Sequence, residues 1–321
     1  MNKYGVKCAP YQFQHAVNLA FHKSESGVYD SIHRDMWASL PQQFALLISD
    51  YLASGEELGN DLVIVDVGCG TGLASELLLK TKIGDRVSEI DLLDTSPEML
   101  EKASERASTW KVKTTTIHGG VRSIAERRRR YDLIITCSVL HHIPDLIDFL
   151  QDIRHLQAPR GIFMHLQDPN GDYLGDDLLQ ERTRELKDYE RPLIPKRLRR
   201  LAPRNVIGRI RRKLSNREDE DYISRVNKQL IQSGLTREPM IAPDIWAVTD
   251  IHVHDGEGIS IKTLSGLLGD YRMISVRSYS FFGKMASELP TAFKEREQLL
   301  IDARALNGLE IAGLWKLMND R

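Results

Sequence analysis

The sequence predicts an α/β protein: a doubly wound, mostly parallel sheet with helices on both faces and further helical segments around it. Three observations carry this. Between residues 59 and 170, apolar runs of strand length alternate five times with segments of helical period, and alternating βα units imply a parallel sheet covered on both sides. The first run, Asp61–Val67, leads into three alternate glycines, Gly68, Gly70 and Gly72, before a helical stretch Leu73–Lys80; residues without Cβ let the backbone turn sharply and approach a ligand. Acids, glycines, serine and histidines gather at the ends of the runs. In such sheets ligands bind outside the carboxyl ends of the strands.

Residues 1–58 read as a helical lead-in. Tyr11–His22 and Pro41–Ala53 are its helices, the second with Phe44, Leu47, Ile48 and Tyr51 in one apolar stripe. The core follows over 59–170. A second strand ends at Asp94, and Ser96-Pro97-Glu98 opens a helix with a capping residue and a proline at its first position. A third strand lies near Val112–His118 and a fourth covers Tyr131–Cys137. Asp148–His155 is the next helix and Gly161–Asp168 the fifth strand.

Charge and spacing narrow the ligand. A dinucleotide loop reads G-x-G-x-x-G and sets a pyrophosphate on a helix N-terminus. Here the spacing is G-x-G-x-G, and Asp66 stands just before the turn, where it would repel a diphosphate. A nucleoside with a cationic end and no phosphate suits the loop, and S-adenosylmethionine is such a molecule.

Val65-Asp66-Val67-Gly68-Cys69-Gly70-Thr71-Gly72 resembles the first motif of class I S-adenosylmethionine-dependent methyltransferases, of the small-molecule and natural-product type. The segments Glu89–Leu100, Tyr131–Asp145 with its Val139-Leu140-His141-His142-Ile143 turn, and Gly161–Asp168 follow in the family's order. The resemblance covers roughly residues 60–170. It implies a Rossmann-like methyltransferase fold and the cofactor S-adenosyl-L-methionine. It also implies cofactor contacts at Asp66, Gly68, Cys69, Gly70 and Gly72, and a ribose-binding carboxylate at Asp94, with Asp91 the alternative inside the strand. Thr95 and Met99 match positions that line ribose and adenine, and Ser138 would lie beside the cofactor. Tyr29 matches a lid tyrosine of the lead-in. One departure stands out: Gly120 occupies the place of the acid that usually meets the adenine amino group, leaving backbone around Gly120 and Val121 for that contact. The turn after the fourth strand also lacks the Asn/Asp-Pro-Pro-Tyr pattern of base- and amide-methylating enzymes.

The remainder departs from the core pattern. Residues 171–245 read as an inserted helical cap over the substrate side, with helices at Asp176–Tyr189 and Asp221–Gly234. Between them the segment 191–217 carries no acid and many arginines, so an anionic partner is weighed for it against a solvated face paired with Glu218–Asp221. Residues 246–321 return to the core with a helix at Ser260–Leu268, a last strand at Tyr271–Phe282, and a helical tail over Leu289–Met318. A seventh strand is not legible.

Transfer of a methyl group to a hydroxyl requires alignment, exclusion of water and removal of a proton, and histidine is the usual proton acceptor. By the resemblance, His142 and His141 stand near the transfer site, with Asp168 to orient a nucleophile. A turn-holding role is the alternative for His142. His252 and His254 are candidate substrate contacts on an extended stretch. Paired with Asp250 or Asp255 they could also be metal ligands, but no further ligand lies at a recognised spacing, and no metal is expected. His165 reads as a core histidine with satisfied nitrogens.

The composition sets outer bounds. A net charge of −1 argues against nucleic acid as the partner of the whole molecule. Three cysteines, Cys8, Cys69 and Cys137, form no disulfide framework, which points to a reducing cytoplasm. Met1–Pro10 has no apolar leader core, and no apolar run approaches the roughly 20 residues of a membrane span. The expected function is methyl transfer to a small-molecule acceptor, O-methylation favoured, in biosynthesis of a secondary metabolite or of a carrier- or sugar-linked intermediate. The alternatives are a cofactor-binding regulator and non-methyl chemistry such as cyclisation.

Overall fold

The structure is a computed structural model that describes residues 2–26, 29, 36–125, 129–191, 222–254 and 258–318. The contacts divide the chain into two units, one of residues 1–27 with 183–249, the other of residues 28–182 with 250–321. The lead-in therefore contributes to both. Helix Pro10–Glu25 belongs to the first unit and helix Met36–Ala53 to the second. Most of the basic segment 191–217 lies outside the described residues.

In the first unit, helices Pro10–Glu25, 222–232 and Ala242–Thr249 enclose a small core of Phe13, Val17, Ala20, Tyr222, Val226, Leu230, Met240 and Ile245. Asn227 closes its turn by donating to the Met240 carbonyl and accepting from the Met240 amide.

The second unit is a seven-stranded sheet: β1 Leu62–Val67, β2 Val87–Asp94, β3 Lys113–His118, β4 Tyr131–Cys137, β5 Gln157–Pro169, β6 Tyr271–Tyr279 and β7 Glu310–Leu317. The order is β3-β2-β1-β4-β5-β7-β6. The first five strands are parallel, and β7 inserts antiparallel between β5 and β6. Strand order reverses between β1 and β4, which makes a crevice at their carboxyl ends. Val65, Ile134, Phe163 and Trp315 from neighbouring strands share one buried cluster, so the central strands read as unbroken apolar runs because both faces are covered.

Two expectations are corrected. The tail is not helical throughout: helix Thr291–Asp302 ends well before it, and Glu310–Leu317 is the seventh strand. All eight of its residues are buried, so the alternation that marks a half-exposed strand is missing, and a short buried run cannot be told from helix by periodicity. The segment around His252 is not extended either. Ile251–His254 is a single helical turn, in which residues two apart do not share a face.

The lead-in helix Met36–Ala53 packs on the β6–β7 side through a buried ion pair. Asp50 accepts two hydrogen bonds from Arg277, both 2.8 Å, and one each from Ser275 and Arg304. Asp50 and Arg277 side chains are 9% and 7% exposed. Burial works against the ionised carboxyl of Asp50, but Arg277, Ser275 and Arg304 outweigh it and hold its pKa below the usual range. Among the described residues no helix is long and apolar enough to cross a membrane.

Candidate functional site

Hydrogen bonds tie together the carboxyl ends of β1, β2 and β3, and separately those of β4 and β5. The amides of Gly68 and Cys69 donate to the Leu93 carbonyl at 2.8 and 3.0 Å. Gly70 N donates to Asp94 Oδ2 at 2.8 Å and Ser96 N to Asp94 Oδ1 at 2.8 Å. Gly119 N donates to the Asp94 carbonyl at 2.9 Å, and Ser138 N to the Leu166 carbonyl at 2.9 Å. His141 meets Asp168 across the same end, its Nδ1 2.8 Å from Oδ1.

The glycines divide by function. Gly68 has φ +67°, and a Cβ there would stand 2.7 Å from Val139 Cγ2; this glycine lets the first loop seat against the turn after β4. Gly70, with φ +52°, would place a Cβ in open space. Its need is conformational, and it leaves a bare backbone edge beside Asp94. Gly72 closes the turn by donating to Cys69 O and precedes helix Leu73–Leu79. Gly120 is exposed, with nothing near a built Cβ, and Val121 is buried at the start of helix Val121–Ala125.

Asp66 is fully buried. Its Oδ2 accepts from Ser75 Oγ at 2.7 Å and Ser75 N at 3.2 Å, which ties β1 to the helix after the glycine loop. Its Oδ1 has no hydrogen-bond partner among the described residues. Burial pushes its pKa up to about 6 against the pull of Ser75, with Asp94 adding to the rise. Asp94 itself is half-buried. Its two oxygens each take one backbone N–H, and a carboxylate offers about four lone-pair sites, so capacity for two hydroxyls remains. Asp91 is spent elsewhere: it accepts from Tyr131 OH at 2.7 Å and pairs with Arg129.

Thr95 is half-buried, and its carbonyl lies 3.0 Å from His118 Nε2. Met99 is 2% exposed, and its amide is capped by Ser96 Oγ. Tyr29 is half-buried. Ser138 is held at φ +60°, a region that side chains other than glycine rarely adopt and that recurs at functional sites. Burial pushes the thiols of Cys69 and Cys137 well up, in keeping with inert small apolar residues.

The histidines separate. His141 is buried, and its ring and amide both point at Asp168 Oδ1. Burial disfavours the charged imidazole, but Asp168, with help from Asp250 and Glu310, outweighs it and raises the pKa of His141. Burial likewise opposes the ionised Asp168, and the His141 and His165 rings bring its pKa down to about 2. His142 packs at a tilt of 44° against His141 with ring centroids 4.0 Å apart, and its Nδ1 lies 3.3 Å from Asp250 Oδ1. His252 places its Nε2 2.8 Å from the Ile143 carbonyl and so clasps the turn after β4. The side chain of His254, and Asp255 as a whole, lie outside the described residues. His165 is in the core as expected, between Phe163 and Trp315, opposite Gly313. Neither of its ring nitrogens has a hydrogen-bond partner among the described residues, which corrects the expectation that they would be satisfied.

Two further acids stand at this end: Asp250, weighed in the sequence only as a metal ligand beside His252 and His254, and Glu310, which was not among the expected site residues. Asp250 reaches His142 from far along the chain. Glu310 is buried at the start of β7. Burial pushes its pKa up to about 7, with the Asp168 charge adding to the rise and His141 opposing it. No local motif marks Glu310.

The crevice fits a sulfonium nucleoside. It presents a half-buried carboxylate at Asp94 and a bare backbone edge at Gly70, with the buried acid Asp66 behind the loop. Arg106, which reaches this loop, is engaged by the Thr71 carbonyl and Glu76. Residues 65–163 match the family described as a methyltransferase domain. This core is a class I S-adenosylmethionine-dependent methyltransferase domain. The methyltransferase core is similar to curated proteins over about a third of the chain. It is 32% identical over 101 residues to a ubiquinone biosynthesis O-methyltransferase of Actinobacillus pleuropneumoniae, covering 31% of this chain and 42% of that protein. It is 31% identical over 101 residues to a malonyl-[acyl-carrier protein] O-methyltransferase of Chlorobium luteolum, covering 32% and 38%. It is also 31% identical over 121 residues to a highly reducing polyketide synthase of Emericella nidulans, covering 35% of this chain and 5% of the synthase. The chain thus spans less than half the length of each of these relatives.

Proposed function

We propose that the protein transfers a methyl group from S-adenosylmethionine to a hydroxyl of a small-molecule acceptor in a biosynthetic sequence. The observation that carries this reading is the Gly70–Asp94 crevice at the switch point of a methyltransferase core. When bound, S-adenosylmethionine supplies an activated methyl group. Asp94 would hold the two ribose hydroxyls, the Gly68–Gly72 loop would take the methionyl part, and Met99, Thr95, Val121 and the Gly120 backbone would take the base. Ser138 lines the wall between cofactor and acceptor.

On the acceptor side, as the methyl group passed from sulfur to oxygen, a hydroxyl would have to lose its proton. We assign its acceptance to the paired imidazoles, His142 foremost, with Asp168 fixing His141 beside it. A positioned base of this kind contributes typically 10²–10⁴-fold. Oxygen as the acceptor atom is supported by two relatives described as O-methyltransferases, and a carrier-linked acceptor by the second of these. The three cysteines are free, which suits a reducing compartment.

The experiment is a screen of phenolic, carboxylic and carrier-linked acceptors with methyl-labelled cofactor. Label transfer to oxygen supports the reading. Binding of S-adenosylmethionine without transfer to any acceptor, or a mass gain other than one methyl group, counts against it.

A further inference from the structure

We propose that His141, His142 and Asp250 form a binding site for a divalent metal ion of the zinc class. Ligand atoms of the three side chains lie within 4.8 Å of one another. Two come from the turn after β4, and the third stands just before the helical turn Ile251–His254. The spacing between His142 Nδ1 and Asp250 Oδ1, 3.3 Å, suits two ligands of one ion. A charge-assisted hydrogen bond closes to about 2.7–2.9 Å. Two ligands of one tetrahedral ion, each about 2.0–2.1 Å from the metal, stand about 3.4 Å apart.

The surroundings are those of a built site. Histidine ligands characteristically donate their other ring N–H to a carboxylate, which fixes tautomer and orientation. His141 does this toward Asp168 at 2.8 Å, and Asp168 is wholly out of solvent. That arrangement leaves Nε2 of His141 as its lone-pair nitrogen. His252 supplies a second brace: by bonding the Ile143 carbonyl at 2.8 Å it pins the Asp250 segment against the turn that carries both imidazoles. The ligand set is two imidazoles and one carboxylate, a borderline donor set that suits zinc and its first-row neighbours over magnesium or calcium. Side-chain exposures of 9% for His141, 19% for His142 and 33% for Asp250 grade the cluster from buried to open. The open side leaves room for an oxygen ligand from the acceptor. An ion held here would supply Lewis-acid activation of an acceptor hydroxyl, with the two imidazoles as its ligands in place of the base role proposed for them above. The binding site itself does not depend on the methyl-transfer reading.

The test is made on binding, with the full chain, without cofactor or acceptor. Chelator-treated protein is titrated with Zn²⁺ by calorimetry, and bound metal is counted after gel filtration. We expect one tight ion per chain. Asp250→Asn and His142→Ala, both at partly exposed positions, should each weaken it at least tenfold while leaving the thermal unfolding curve of the metal-free protein in place. Asp168→Asn should weaken it about 10–100-fold through the lost orientation of His141. His155→Ala, on an exposed helix face, should change nothing. Wild-type protein that retains no ion, or variants that bind as tightly as wild type, would overturn the proposal. A separate S-adenosylmethionine titration with Asp94→Ala reports on the cofactor site, so failure of one assignment is distinguishable from failure of the other.

Discussion

His141 Nδ1 stands 2.8 Å from Asp168 Oδ1, and the carboxylate has no exposure to solvent. Each group favours the charged form of the other. Asp168 has its folded pKa at about 2, so its contribution is present above its unfolded value of about 3.9 and is lost as pH falls through about 2. His141 is raised, so its contribution is present below about 6.5 and is lost as pH climbs through the raised value. Between about pH 4 and 6.5 the pair contributes fully. Asp168→Asn should lower unfolding free energy there by about 3–5 kcal/mol, the usual cost of stranding one member of a buried pair, and should flatten both flanks. Urea titrations across pH measure it; an unchanged profile would deny the pair its role.

Gly68 and Gly70 should respond differently to the same change. Gly68→Ala adds a methyl group 2.7 Å from Val139 Cγ2 at a positive φ, so stability should drop by about 1–3 kcal/mol. Gly70→Ala meets open space and should cost only about 1 kcal/mol of backbone strain. Its cofactor affinity should nevertheless fall tenfold or more, because the new methyl group occupies the crevice. Paired melting curves and cofactor titrations decide it. Full affinity in Gly70→Ala would remove Gly70 from the cofactor edge.

Asp94→Ala removes the acceptor of the Gly70 and Ser96 amides, together with the ribose contact proposed for it. Hydrogen bonds to a charged group contribute about 1.5–3 kcal/mol each. Loss of the ribose pair predicts a cofactor dissociation constant at least 100-fold higher, read by calorimetry, with a folded protein by circular dichroism.

Asp50→Ala strands the buried guanidinium of Arg277. We expect a loss of about 3–5 kcal/mol in urea unfolding. The Asp50 contribution in wild type should be present above about pH 3.9 and fade as pH falls through its depressed value. A double variant that also replaces Arg277 with Met should recover much of the loss; equal losses in single and double variants would contradict the assignment.

Glu310 has its pKa at about 7, chiefly through burial, and Asp66 and Glu297 are raised to about 6 and about 7. The folded protein therefore holds protons that the unfolded chain releases near pH 4.3. Stability should fall as pH rises from about 5 to 8, following proton linkage. Glu310→Gln should remove up to one proton from that slope. An identical slope in the variant would exclude Glu310 as its source.

How much of this was legible in the sequence follows from the range of each interaction. The β1 loop, the acid ending β2, the serine-capped helix after it and the β4 and β5 runs are recorded in local pattern, because strand burial and turn geometry act over a few residues. Asp94 and the three glycines belong to that class. Tertiary structure alone decided the rest. Glu310–Leu317 is a strand because β5 and β6 offer it ladder partners on both sides, a choice its uniform burial conceals. Asp250 meets His142, and His252 the Ile143 carbonyl, across more than a hundred residues of intervening chain. Asp91 lost its candidacy to Tyr131 for the same reason. Short-range sterics write themselves into neighbouring residues; charge pairing and strand insertion depend on which distant segments the fold brings within a few ångströms.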